Sequence, residues 1–433
     1  MNIYLNVEIK KREFTSRFLL GLEAAKNGNK VYIGDIDSLI KKKLIKSGVY
    51  HDKALTPKLD RINKFKTLKK NGFVLTSQDE EAGCIQEAKD YIQSRYNKIS
   101  LNLVDVIFTW GKFDYNNMIR YYKKFKKKFY NTGNPRVDFW RKDFKKYFKK
   151  KRENYILVSS NFDLIFGNKD LLHHHKILYD GKYFQRGMNE KILFERMLIQ
   201  SKVAKELIFT LKELAKKYKD VSFLYRPHPV ENINYAKTIF DECKNIKIDV
   251  SESISDIIEN AKLVIHNNCT GGFESSARAI PTLSYKPIKN KNRYQVADRV
   301  SIMCKTENFL VKMIKKYYNN KNIEFKPENK KDILYRCENL SKEPSYKRIT
   351  RVWNELTVGL IYKNNNNFII SIYCNYLKLK KKFNFNSNYN TKFKPFKHQE
   401  IFLLKKKLAS IDQDFEDIKF KIFGDKIVYL FKE

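Results

Sequence analysis

The sequence predicts an α/β protein of two Rossmann-like halves followed by a carboxyl-terminal extension, and three observations carry this. Ile3, Leu5 and Val7 alternate like a strand, and Phe14, Phe18, Leu22 and Ala25 follow at helical spacing. Asn27-Gly28-Asn29 then closes the helix ahead of an apolar Lys30–Ile33 strand. Residues 221–288 repeat the grammar: VSFLY and KLVIH are short apolar runs, each followed by residues that bind anions or start helices. A chain of 433 residues also suits two or three domains better than one. The expected boundaries are 1–150 for the first half, 151–345 for the second, and 346–433 for a helical, basic extension.

Taken in order, the opening β–α–β lacks GxGxxG, which argues against an NAD site of the usual kind. Residues 38–46 and 58–70 are basic and predicted helical. GFVLT (72–76) reads as a strand that delivers DEEAG to its carboxyl end, and LVDVIFTWG (103–111) as another. A basic aromatic helix over 115–127 follows, then a firm turn at Gly133-Asn134-Pro135. The Lys-rich stretch 141–153 reads as an interdomain linker or a short helix. YILVSS (155–160) opens the second sheet, with Ser159 and Asn161 at its carboxyl end, within reach of a ligand. Residues 163–190 read as irregular, and the His173-His174-His175 run there lacks the acidic or Cys partners and spacing of a zinc site. Leu193, Met197, Ala204, Leu207, Leu211, Leu214 and Tyr218 form a helical apolar stripe that belongs to a core. Beyond residue 290, 305–318 and 345–363 are predicted helical. Residues 364–397 are Asn/Lys/Phe-rich and read as partly disordered or membrane-adjacent. Residues 398–433 read as a helix and a hairpin turning at Gly424-Asp425.

Two loops carry the candidate chemistry of the second half. Arg226 and His228 lie in RPHP, where flanking prolines restrict the backbone. Thr270-Gly271-Gly272 precede a helical stretch, and a helix start offers free N–H groups to phosphate. In the first half, Asp79, Glu80 and Glu81 offer a carboxylate base at a strand end. Clustered acids raise one another's pKa, which suits a base near neutrality. A solvated acidic turn is the competing reading.

RPHP, followed by HNNCTGGFESSARAIPTLSYKP, resembles the carboxyl-terminal half of bacterial surface-polysaccharide glycosyltransferases, specifically the surface carbohydrate biosynthesis proteins. The likeness includes residues 7–35, DEEAG, FTWGKFD (108–114) and TGNPRVDFW (132–140), and so covers most of residues 1–290. More loosely the chain is similar to Kdo and sialic-acid transferases and to CDP-glycerol glycerophosphotransferases. The resemblance implies the GT-B architecture, two Rossmann-like domains facing a central cleft, with donor nucleotide on the second and acceptor on the first. It implies that Arg226, His228, Asn268, Thr270, Gly271, Gly272 and the Ser-rich start with Ser275 contact the nucleotide, and that Glu274 meets its ribose. It implies a base among Asp79, Glu80 and Glu81. The extra Ala82 before Gly83 departs from the pattern and leaves the choice among the acids open, with Glu81 preferred over Glu80. The Arg12-Glu13 pair belongs to the likeness, and Arg12 suits an anionic acceptor or sugar carboxylate; an ordinary surface charge is the competing reading. Cys269 reads as a packing residue rather than a nucleophile.

The implied activity is transfer of a sugar, Kdo or a nonulosonic acid as first choice, from a nucleotide donor to a glycan or lipid-linked acceptor. No metal and no cofactor are expected. The alternatives are a polyol-phosphate transferase, a nucleic-acid-binding protein and an inactive scaffold. The formal charge is +39, from 87 basic and 48 acidic residues. With no zinc finger or RNP-type motif, that charge points to an anionic membrane face and compositional bias before nucleic acid. No apolar run reaches about 18 residues, so no membrane span is expected. MNIYLNVEIKKRE reads as a strand rather than a signal peptide. Six scattered cysteines without a CxxC pair fit a reducing cytoplasm.

Overall fold

The computed structural model describes residues 1–85, 88–148, 154–167, 173, 175, 176, 179, 190–251, 253–288, 295–319, 323–383 and 393–433. The described chain is a mixed α/β protein with two sheets. The first contains β1 (Asn2–Asn6), β2 (Lys30–Gly34), β3 (Val49–Asp52), β4 (Val74–Gln78), β5 (Val106–Thr109) and β6 (Phe129–Asn131). The second contains β7 (Tyr155–Ser159), β8 (Ser222–Arg226), β9 (Ile246–Ile248), β10 (Ala261–His266), β11 (Thr282–Tyr285) and β12 (Ile302–Cys304). A last hairpin, β13 (Lys419–Phe423) and β14 (Ile427–Phe431), joins the first sheet.

One compact unit comprises Met1–Tyr147 and Leu334–Glu433. Its strand order is β13-β14-β2-β1-β3-β4-β5-β6. The strands β1 to β6 run parallel; β14 lies antiparallel to β2, with Tyr429 opposite Tyr32. Tyr4, Tyr32 and Tyr429 form a ladder across three strands, with ring centroids 5.3 and 4.8 Å apart. Such cross-strand aromatic pairs fix register. Alternation sends Val31, Ile33 and Leu430 to the other face, where the Lys10–Lys26 helix packs. The expected separate extension over 346–433 is therefore corrected. It completes the first unit, because the hairpin supplies backbone partners to the open edge of β2. The strand β3 was not expected: His51 and Asp52 break the apolar pattern of VYHD, yet both are fully buried.

The other unit, Phe148–Ile333, is a six-stranded, wholly parallel sheet in the order β12-β11-β10-β7-β8-β9. Its central strands are buried on both faces, as parallel sheets require. Ile156, Val158, Phe223, Tyr225, Leu263 and Ile265 point to one core. There Leu207, Leu211 and Leu214 of the Glu190–Lys217 helix meet them. Leu157, Leu224 and Val264 point to the opposite side, against Ile257 and Ile258. The expected boundary at 345 moves to 333, and an Ile233–Ile239 helix follows RPHP where none was read.

Candidate functional site

In each sheet the chain leaves its first strand, adds a neighbour on one side, and later returns to the other side. That switch lies between β7 and β10 in the second unit and between β1 and β3 in the first. Crevices form at such points, beyond the carboxyl ends of the strands.

In the second unit the loops after β7, β8 and β10 are tied together there. The Asn161 amide donates to Asn268 O at 2.9 Å, and the Cys269 thiol donates to Ser159 Oγ at 3.2 Å. Glu231, a residue the sequence reading passed over, is the central tie. Its buried carboxylate accepts from Ser160 Oγ (2.9 and 3.0 Å) and from Phe162 N (2.7 Å), joining the β7 loop to the segment after RPHP. Its only sequence signal is an acid just after the proline loop. Burial pushes its carboxyl up, against those donors.

His266 ends β10 and sets the next loop. Asn268 N donates to its Nδ1 at 3.0 Å, so the ring proton lies on Nε2, which meets Ser301 Oγ at 2.9 Å. Complete burial pushes this imidazole down to about 4. A neutral ring is what accepting through Nδ1 requires. The hydrogen bond holds Asn268 at φ 79, a conformation that asparagine tolerates better than most residues. The Thr270–Ala277 helix starts directly afterwards, with no side-chain cap on its first amides.

The residues expected to contact a nucleotide divide by placement. Arg226, His228, Asn161 and Asn268 are half-buried and Thr270 is exposed, all at the loop edge. The Arg226 guanidinium also donates to Asp249 O at 3.3 Å. His228 Nδ1 faces Val230 N at 3.5 Å, and burial lowers its pKa against the pull of Asp163. Ser159 is buried at the end of β7. Gly271 has ordinary room around it, but a Cβ on Gly272 would stand 2.4 Å from the His266 ring. Gly272 therefore serves close packing on His266 in this structure, rather than the approach of backbone to a ligand. Ser275 and Glu274 point inward. Ser275 donates to Gly272 O at 3.1 Å and accepts from Thr282 at 2.9 Å. Glu274 pairs with Arg278 at 3.2 Å; Arg278 also pairs with Glu259 and stacks on Phe148. Glu274 Oε2 is buried with no partner among the described residues. Burial pushes the Cys269 thiol up, which fits a packing residue.

In the first unit each of the three acids has an arginine of its own. Asp79 pairs with Arg95 at 2.9 Å, Glu80 with Arg17 at 2.9 Å, and Glu81 with Arg12 at 2.7 Å. Burial, opposed by the arginines, is the largest cause that raises Asp79 and Glu80; the expected push between neighbouring acids is present as a smaller contribution of Glu81 to Asp79. Glu81 is the one acid left open, its side chain 47% exposed. Gly83 admits the Trp110 ring, which would stand 2.2 Å from a Cβ there. That indole donates to Asp79 O at 2.7 Å, holding the acidic turn.

Glu13 is fully buried and accepts from Glu8 N (2.8 Å) and Ile9 N (3.3 Å), stitching β1 to its helix. It also meets Arg12 and Lys53, each at 3.2 Å, so its role here is internal. Burial alone would lower Arg12, but the carboxylates of Glu81 and Glu13 raise it. Among the described residues no group of three or more His, Cys, Asp or Glu side chains is placed to hold a metal ion. The histidine run lies partly outside the described residues; His175 meets Glu190 at 2.7 Å. No described helix is long and apolar enough to cross a membrane.

No family model and no curated protein matches the chain. Similar solved structures include the UDP-GlcNAc 2-epimerase of Methanocaldococcus jannaschii, at 12% identity and a TM-score of 0.49, covering 82% of this chain and 99% of that one. A putative UDP-N-acetylglucosamine 2-epimerase from Listeria monocytogenes gives 12% and 0.49, over 80% and 94%. Accessory secretory protein 1, 2 and 3 of Streptococcus pneumoniae gives 8% and 0.38, over 74% and 56%. Likenesses of this degree carry no argument about activity. The α/β assignment rests on the sheets themselves.

Proposed function

We propose that the chain is a nucleotide-sugar-dependent glycosyltransferase of surface-glycan assembly. One observation carries the reading: the uncapped start of the Thr270–Ala277 helix lies at the β7/β10 switch point, with Arg226 and His228 on the neighbouring loop. The amides of a helix start, a guanidinium and a neutral imidazole together suit the phosphate of a nucleotide donor. In this reading Arg226 and the helix amides stabilise the phosphate as its bond to the anomeric carbon breaks. His228 donates a hydrogen bond to it. Glu81, the open acid, takes the proton of the acceptor hydroxyl, whose oxygen forms the new bond to the sugar. A CMP-linked acidic sugar is the first donor to test.

The test is a thermal-shift screen of the intact protein with CMP, CDP, UDP and GDP, repeated on Arg226→Ala and His228→Ala. A nucleotide at a hundredfold excess over its Kd stabilises by about 2.7 kcal/mol. The expected result is stabilisation by one nucleotide, lost in both variants. If no nucleotide shifts the melting, or both variants respond like the parent, the reading fails.

A further inference from the structure

The Asn367–Phe383 helix is firmly mounted on the first unit. Tyr32 donates to Asn367 Oδ1 at 2.7 Å, and Asn366 Oδ1 accepts from Phe368 N and Ile369 N. Ile370 and Cys374 are buried, and the Cys374 carbonyl packs so tightly on the β13–β14 turn that a Cβ on Gly424 would stand 2.5 Å from it. The helix therefore has one apolar face already in use.

It has a second. Phe368, Ile372, Tyr376 and Leu379 recur at spacings of four, four and three and form a stripe on the opposite side. Phe368 is 75% exposed and the other three are more than half exposed. The segment that leads into the helix is also bare, with Ile361 95% and Val358 81% exposed. Lys378 and Lys380 are exposed on either side of Leu379, each turned about 100° from it. Lys381 and Lys382 continue the basic run.

We infer that this face lies in the surface of an anionic lipid bilayer. A helix that is apolar on both sides must cover the outer one with protein or lipid. A second copy of this chain is disfavoured by charge, because pairing the faces brings two +39 molecules together. An anionic surface is instead attracted by Lys378 and Lys380, whose stems are long enough to reach past the apolar stripe to the headgroups. A helix of 17 residues, about 25 Å long and ending in lysines, lies in the interface rather than across the membrane. The inference is independent of the glycosyltransferase reading.

The test is co-sedimentation of the intact protein with vesicles of phosphatidylcholine alone, or with roughly a third phosphatidylglycerol. The protein is expected on the anionic vesicles, less at high salt, and little on the neutral ones. Phe368→Ser/Ile372→Ser and Lys378→Glu/Lys380→Glu should each weaken partitioning about tenfold or more. Both should leave the melting temperature unchanged, since the side chains are exposed. The inference is overturned if the parent does not sediment with anionic vesicles, or if the serine variant partitions like the parent. A parent dimer that the serine variant converts to monomer would assign the face to a second copy instead.

Discussion

At the carboxyl end of β4, Asp79, Glu80 and Glu81 each meet a separate arginine, and Lys53 bridges Glu8 and Glu13 nearby. At the carboxyl ends of β7 and β10 the ties are of another kind: a thiol, amides, hydroxyls, a neutral imidazole and a single buried acid. The second edge sits at the switch point of its sheet, whereas β4 lies one strand beyond the β1/β3 switch of the first, and both are tied together by side chains. The first edge spends its charges on itself and leaves one carboxylate open. The second holds its loops with mostly neutral groups. Rigidity from salt bridges and rigidity from neutral hydrogen bonds thus leave different chemistry at the surface.

Four measurements break or sharpen this contrast. The largest effect is expected at the Arg17–Glu80 pair, whose side chains are nearly fully buried. Arg17→Met strands a buried acid and should cost about 3–5 kcal/mol in urea unfolding, whereas Arg17→Met/Glu80→Leu should recover most of it. A double variant no better than the single one would show that the charges do more than compensate each other.

Next comes the glycine pair of the second edge. Gly272→Ala drives a methyl into the tethered His266 ring and should cost about 1–3 kcal/mol. Gly271→Ala, with 3.5 Å to its nearest neighbours, should stay within about 0.5 kcal/mol. Equal effects would remove Gly272 from its packing role.

The third measurement uses pH. His266 titrates near 4 when folded, below the unfolded value of about 6.5. Its contribution is therefore complete above that unfolded value and falls as the pH drops toward 4, by about 2 kcal/mol at pH 5. The raised acids Asp79 and Glu80 act with the opposite sign, their contribution being lost as pH rises through their folded values. Hydrogen exchange, corrected for intrinsic rates, should show β10 losing protection from pH 7 to pH 5 while β4 does not.

The smallest stability effect is at Glu81. Its pair with Arg12 is partly exposed, so Glu81→Gln should change stability by less than about 1 kcal/mol. Under the proposed function, transfer should nonetheless fall by about 10²–10⁴. A variant that transfers sugar like the parent would leave the open carboxylate without a catalytic part.

The sequence alone determined those elements whose signal is local. Continuous apolar runs mark Tyr155–Ser159 and Ala261–His266, a 3.6-residue stripe marks the Glu190–Lys217 helix, and Gly424-Asp425 marks the final turn. Tertiary structure alone decided what depends on distant partners. VYHD becomes a strand because β1 and β4 pair with it on both sides, and burial then overrides its polar residues. The last hairpin belongs to the first sheet because β14 meets the free edge of β2 nearly four hundred residues away. Glu231 becomes a loop tie, and Glu80 an internal pair rather than an open base, because folding brings Ser160 and Arg17 to them. Periodicity is written along the chain, but the partner of a buried charge is chosen across space, where desolvation makes leaving it unpaired the costlier outcome.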